Sequence, residues 1–174
     1  MEKKNVSVWK ANLNWGLILG LALVIYSALL YFTDNMFNQN LGYASYLIIV
    51  IGIFLGVKAY RDTFLGGYIS YGQVIGAGII ISLYASIISA IFTILLYKFI
   101  DPDLSQKLIA FTEQGMIDKG TPEDQVEMAM KITEKFLNPY FLAGFAVIGS
   151  VIVGLIVSLI EGIFLKKENP ANEV

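Results

Sequence analysis

Few residues of this chain could carry acid–base or metal chemistry. Its 174 residues include no His and no Cys, which excludes thiolate chemistry, disulfides, cysteine or histidine metal sites and the usual general base. The remaining carboxylates, Lys, Tyr and Ser form no Gly-x-Ser-x-Gly or P-loop pattern. We therefore expect no catalytic, cofactor-binding or metal-binding residues, and we expect that the protein is not an enzyme.

Glu161 is the one carboxylate inside a long apolar run, and an intramembrane acid is a functional candidate by default. On a helix it lies within about 20° of Ser150 and Gly154, which should turn it toward other helices rather than lipid. The run ends at Leu165, so the acid lies about 6 Å from the membrane boundary.

Arg61 is the expected partner of Glu161, because its guanidinium suits a bidentate ion pair; Lys58 and Gln73 are the other candidates. A structural pair is favoured over a proton or ion relay, since one acid without a second makes a poor relay. A Glu161→Gln change should then lower stability without abolishing insertion. Tyr84, whose hydroxyl needs a partner on a neighbouring helix, completes a candidate intramembrane polar site of Glu161, Arg61, Gln73 and Tyr84.

Long apolar runs must position these residues. The chain is 56% hydrophobic and 15% charged, against roughly 45–50% and about 25% in soluble domains. A membrane-spanning helix needs about 20 mostly apolar residues. Four runs meet this need, at about 15–32, 41–57, 74–97 and 140–165, within a single integral membrane domain covering 1–174. A soluble enzyme, a disordered chain and a nucleic-acid-binding protein are excluded, the last because the net charge is −2 without a basic block.

The Lys and Arg distribution predicts the orientation of the spans. Basic residues precede the first run (Lys3, Lys4, Lys10), separate the second from the third (Lys58, Arg61) and follow the fourth (Lys166, Lys167). By the positive-inside rule both termini face the cytoplasm of a bacterial inner membrane. The alternative, a cleaved signal with three remaining spans, is disfavoured because no small-x-small site follows Phe32.

Two runs carry small residues every fourth position, which permits close helix packing in a bilayer. They are Gly78, Ser82, Ser86 and Ala90 in the third run, and Ala146, Ser150, Gly154, Ser158 and Gly162 in the fourth. Packing inside one four-helix bundle is favoured over a homo-oligomer seam, because a single chain already offers four helices to pair.

Residues 101–138 predict an extracytoplasmic helical hairpin, with eight carboxylates against four Lys. Asp101 with Pro102, and Thr121 with Pro122, are the expected helix starts, and Gly120 is a helix end. Two apolar stripes (Leu104, Leu108, Phe111 and Val126, Met130, Thr133, Leu137) should face each other or rest on the membrane. The alternative is that the segment 102–137 docks an extracytoplasmic protein.

Several stretches resemble a bacterial membrane family known as domain of unknown function 4199. They are Tyr60-Arg61-Asp62, the run Gly-Gly-Tyr-Ile-Ser-Tyr-Gly-Gln at 66–73, the opening Val-Ser-Val-Trp-Lys at 6–10, and Phe-Leu-Lys-Lys at 164–167. The resemblance covers nearly the whole chain and implies a small four-helix integral membrane protein with no established activity. It also implies that the 60–73 turn matters, where Gly66 and Gly67 permit a tight bend.

The expected fold is therefore an all-α, four-helix transmembrane bundle with an amphipathic hairpin between the third and fourth spans. The favoured function is a non-enzymatic membrane component, of unknown biochemical activity, that self-associates or binds a partner. The alternative is a small transporter or channel subunit with a polar route near Glu161. Against it, transporters normally show repeats and several intramembrane polar groups.

Overall fold

The computed structural model describes residues 6–168 and contains six α-helices. They are α1 (Val8–Phe32), α2 (Gln39–Phe64), α3 (Tyr71–Leu95), α4 (Leu104–Ile117), α5 (Glu123–Phe136) and α6 (Pro139–Leu165), and a π-helical turn (Leu96–Ile100) extends α3. Residues 6–168 contain no β-strand, only one isolated antiparallel bridge between Ile69 and Lys167. The basic residues Lys3 and Lys4 lie outside the described part of the chain.

Four of these helices are long and apolar enough to cross a membrane, namely α1, α2, α6 and α3 with its π-helical turn. This confirms the predicted all-α fold with four candidate spans. Each helix is longer than its apolar run, because polar flanks such as 8–14 and 58–64 continue the helix beyond the apolar stretch.

The chain divides into two compact units. The first comprises Met1–Ser89 with Val147–Val174, and the second comprises Ala90–Ala146. The first unit therefore holds α1, α2 and most of α3 and α6, whereas the second holds the hairpin and the helix ends that flank it.

Small residues let the first two helices of the first unit approach closely. A Cβ added at Gly52 would lie 2.6 Å from Cδ1 of Leu19, and one added at Gly56 would lie 3.0 Å from Cβ of Trp15. The core between α2 and α3 is apolar and fully buried. It contains Ile53 and Val57 from α2 and Val74, Ala77, Ile81 and Ala85 from α3. Burial of apolar surface does not drive helices together in a bilayer, because lipid tails are equally apolar. Close backbone approach and the packing of this core hold the helices together instead.

Large apolar side chains cover the outer surfaces of the four long helices. Ile18 and Ile25 on α1, Ile51 on α2, and Ile152 and Ile156 on α6 are all exposed. In a soluble protein such surfaces would aggregate, but in a bilayer they face lipid.

In the second unit, α4 and α5 form a helical hairpin that buries its facing apolar residues. Leu104, Val126, Met130 and Leu137 are buried, and Gly120 makes the turn with a φ of +73° that favours glycine. The predicted stripe of α5 is thus mostly buried, whereas in the predicted stripe of α4 only Leu104 is buried, Leu108 is half-buried and Phe111 is 46% exposed.

Two predicted helix caps in this hairpin are wrong. Asp101 does not cap α4, which begins at Leu104; its carboxylate instead accepts a hydrogen bond from Nζ of Lys107 at 2.7 Å. An ion pair with a partly buried carboxylate competes successfully with a cap. The second helix begins at Glu123, one residue later than expected, with Pro122 rather than Thr121 at the cap position.

Candidate functional site

The seam between α3 and α6 is built from the two small-residue ladders. A Cβ added at Gly78 would overlap the Ser158 side chain, whose own Cβ would be 2.9 Å away. A Cβ added at Gly154 would lie 2.5 Å from Cβ of Ser82. The pairs 78 with 158 and 82 with 154 follow one antiparallel register, so this four-residue step on α3 matches one on α6.

The serines of the seam act mainly as small residues. Ser158 donates to the carbonyl of Gly154 at 2.5 Å, and Ser86 donates to that of Leu83 at 2.9 Å. These two hydroxyls are thus satisfied within their own helices, whereas Oγ of Ser82 is buried and has no hydrogen-bond partner among the described residues. Ser86 and Ser158 are buried, and Ser150 is half-buried.

Glu161 lies on the same face of α6 as Ser158 and is only 6% exposed, as its register predicts. Neither carboxylate oxygen has a hydrogen-bond partner among the described residues. A buried carboxylate without a partner is costly when ionised, so this acid differs from Ser158 on the same face, whose hydroxyl is satisfied within α6.

The expected ion pair between Arg61 and Glu161 is not formed. Nε of Arg61 contacts Oδ1 of Asp62 at 2.7 Å, and Nη1 of Arg61 donates to the carbonyl of Leu165 at 3.4 Å. The guanidinium is thus held near the surface, where it keeps part of its hydration and lies favourably at the C-terminal end of α6. Lys58 is also exposed, on α2.

Gln73 is likewise not beside Glu161, because it caps the start of α3. Oε1 of Gln73 accepts from the backbone N–H of Ser70 at 2.9 Å, and Oγ of Ser70 accepts from the N–H of Gln73 at 3.4 Å. This is a reciprocal capping box. Its Ser-x-x-Gln pattern was present in the sequence and could have identified the role.

Tyr84 of α3 is half-buried and packs on α1. Its ring makes an edge-to-face contact with Trp9, with 6.1 Å between ring centroids. Gly16 permits this approach, because a Cβ there would lie 3.1 Å from Cδ2 of Tyr84. The expected interhelical hydrogen bond of the Tyr84 hydroxyl is not among the bonds of the described residues. The four candidate polar residues therefore do not converge on one site.

A latch joins the turn after α2 to the end of α6. We use this name for residues 65–71 together with 165–167. Ile69 and Lys167 exchange two backbone hydrogen bonds, each 2.9 Å long, and Nζ of Lys167 lies 5.5 Å from the centre of the Tyr68 ring. Gly66 and Gly67 make the bend with φ values of +68° and +88°.

Tyr71 extends the latch along α6. Its hydroxyl donates to the carbonyl of Leu159 at 2.8 Å. The ring reaches that position only because residue 162 is glycine, where a Cβ would lie 2.6 Å from Cε2 of Tyr71. Two of the segments whose sequences carry the family resemblance, 60–73 and 164–167, are therefore physically joined in the fold.

Sequence reasoning missed Asn12, which is fully buried in α1. Its Nδ2 donates to the carbonyl of Val8 at 2.8 Å, whereas Oδ1 has no partner among the described residues. The apolar run begins only at Trp15, so nothing in the sequence marked this amide as buried. Within residues 6–168, no three carboxylates gather in a group suited to a metal ion.

An open cleft of about 720 Å³ lies in the second unit. It is lined by Tyr97, Lys98, Pro102, Glu134 and Asn138. Nζ of Lys98 donates a hydrogen bond to the Tyr140 hydroxyl at 2.8 Å.

Comparison with known families gives a match over most of the chain. A family model described as a protein of unknown function (DUF4199) matches residues 14–167. Neither the curated proteins nor the solved structures provide a match to this chain.

Proposed function

Because the chain belongs to the DUF4199 family of proteins of unknown function, we propose its function from its geometry: a non-enzymatic component of the membrane that binds a partner protein. The coarse class, a multi-pass membrane protein, rests on four helices that are long and apolar enough to cross a bilayer. The partner and the surface that binds it are the proposed part.

One observation carries this proposal. The small-residue ladders, which are the sequence's best candidates for self-association, are filled by the chain's own helices at four positions. Gly78 faces Ser158, and Gly154 faces Ser82. Packing of this closeness leaves no room for a second copy in the seam, so binding to another protein must use a different surface.

The hairpin segment 102–137 is the surface we favour. The hairpin buries Leu104, Val126, Met130 and Leu137 in its own core and leaves carboxylates such as Glu113, Glu123 and Glu127 exposed. With eight carboxylates against four Lys in 101–138, complementary charge favours a partner with a basic surface.

We place the protein in a bacterial inner membrane with both termini in the cytoplasm. The latch supports this orientation, because it brings Arg61 to the Leu165 carbonyl and Lys167 to Tyr68. Basic residues from two separate parts of the chain thus gather at one end of the first unit. Such clustering favours the cytoplasmic side, and the acidic hairpin then lies outside.

Site-specific photocrosslinking in native membranes tests the proposal. A photoreactive side chain at Glu113 or Glu123 should give a discrete adduct with another protein, and the same group at Ile152 on the outer face of α6 should not. The adduct should weaken when Glu127 is changed to Lys. Adducts only between two copies of this chain, or equal adducts from Ile152, would contradict partner binding by the hairpin.

The buried Glu161 supports a second candidate function, a small transporter or channel subunit. An acid that is 6% exposed with both oxygens unpartnered has the chemistry to hold and release a proton or cation. Proton or cation flux into liposomes should then disappear with Glu161→Gln and persist with Glu168→Gln, an exposed control just beyond the same helix. Equal flux in both variants would remove this candidate.

A further inference from the structure

Helix α5 carries an apolar stripe that the hairpin does not cover. Met128, Ile132 and Phe136 are 67%, 53% and 48% exposed. They are spaced four residues apart and therefore share one face of the helix. The stripe runs for about 12 Å along the helix axis.

This stripe is distinct from the face that forms the hairpin core. Val126 and Met130 are buried there, and they lie on a different side of α5 from Ile132, about 120–160° away around the helix. Helix α5 is thus apolar on two sides, and within the described chain only one of these has a packing partner along its length.

The exposed stripe is continuous with the outer surface of α6. The Phe136 ring makes edge-to-face contacts with Phe141 and Phe145, each with 6.2 Å between ring centroids. Both partners are more than half exposed and lie in the first two turns of a helix long and apolar enough to cross a membrane. The stripe therefore begins where the lipid-facing surface of α6 begins.

Tyr140, in the first turn of α6, and Lys98 lie beside each other, next to the start of the apolar surface of α6. The Lys98 ammonium donates to the Tyr140 hydroxyl at 2.8 Å and lies 5.2 Å from the centre of that ring. Tyr and Lys side chains of this kind anchor span ends among lipid headgroups. The C-terminal end of α5 therefore lies at headgroup depth.

We propose that the stripe of Met128, Ile132 and Phe136 is a membrane-binding surface, and that α5 lies along the boundary between headgroups and acyl chains. The occupant of the stripe is lipid rather than protein. Charge does not drive this contact, because α5 has four carboxylates and two Lys, and Glu127 is paired with Lys131 at 2.6 Å. Insertion of apolar side chains drives it, as in other interfacial helices.

The absence of Cys from the chain gives a direct test with the full-length protein. Single-cysteine variants Met128→Cys, Ile132→Cys and the matched control Glu127→Cys are labelled with an environment-sensitive fluorophore. All three positions are exposed, so the label does not disturb the core. The proteins are reconstituted into phosphatidylcholine vesicles, with and without anionic lipid, and quenched by aqueous iodide or by lipids spin-labelled near the headgroup.

Labels at 128 and 132 should both be quenched by the shallow spin label, and their iodide quenching should be several-fold lower than at 127. The result should be the same in neutral and anionic vesicles. Iodide quenching at 128 equal to that at 127 would overturn the proposal, since α5 would then stand away from the membrane. Protection of these labels from iodide that is lost when the protein is diluted at constant lipid would also overturn the proposal, because a second copy of the chain would then cover the stripe.

Discussion

Replacing Gly154 with Ala tests the seam between α3 and α6. The added Cβ would lie 2.5 Å from Cβ of Ser82 and closer still to the Ser82 hydroxyl, whereas ordinary contacts begin at 3.4 Å. Helices α3 and α6 must therefore move apart by about 1 Å, and overpacking of this kind costs about 1–3 kcal/mol.

Gly149→Ala is the matched control, because it lies on the same helix and a Cβ there meets nothing within 4 Å. Both substitutions gain about 1 kcal/mol of helix propensity, so this gain cancels in the comparison. Relative to Gly149→Ala, Gly154→Ala should lower the free energy of unfolding by about 1–3 kcal/mol. For a chain of this length that is a decrease in Tm of about 2–12 °C.

Thermal unfolding in a mild detergent, followed by size-exclusion chromatography after heating, measures this difference. Adding Ser82→Gly to Gly154→Ala removes the opposing hydroxyl and Cβ, so a double-mutant cycle should show favourable coupling of at least about 1 kcal/mol. Equal melting of the Gly154→Ala and Gly149→Ala variants, or additive effects in the cycle, would refute the packing described here.

Three further substitutions test other parts of the structure by the same melting assay. Glu161→Gln should leave Tm unchanged or raise it, since the buried carboxyl has no partner to lose; a clear decrease would restore a paired role. Gly67→Ala should destabilise by about 1 kcal/mol because its φ is +88°, whereas Gly76→Ala, in an open helical position, should not; equal effects would contradict a strained turn. Asp101→Asn should cost about 1 kcal/mol by weakening the contact with Lys107, and should lose this effect in a Lys107→Met background.

The sequence predicted the long helices and the small-residue faces of α3 and α6, because both depend on local periodicity, but it did not predict that these two faces pack against each other. Apolar length alone identifies a span, and a small residue every fourth position marks one face of a helix. Gly78 and Gly154 could therefore be assigned to packing before their partners were known.

Interactions that depend on competition between partners were harder to predict. Arg61 was expected to pair with the buried Glu161, but its guanidinium contacts the adjacent carboxylate of Asp62, which is half-exposed and therefore costs less desolvation to pair. Asp101 had a choice between a helix cap and Lys107 and formed the ion pair. Sequence spacing does not rank such alternatives, because desolvation depends on the tertiary environment.

The stripes of α5 illustrate the same limit. Val126 and Met130 were assigned to a packing face, but Met128, Ile132 and Phe136 have the same four-residue spacing. The tertiary packing, in which Val126 and Met130 are buried and Met128, Ile132 and Phe136 stay exposed, determines which stripe is covered by protein.

Mapping the sidedness of single cysteines tests the central claim most directly, that the chain crosses the membrane four times with its acidic hairpin outside. The variants are Lys10→Cys, Lys58→Cys and Lys119→Cys, all at exposed positions of a chain without native Cys. With a membrane-impermeant maleimide on intact cells, we predict labelling at 119 and no labelling at 10 or 58 until the membrane is permeabilised. Labelling of 58 and 119 from the same side, or of 10 and 58 from opposite sides, would contradict the four-span topology.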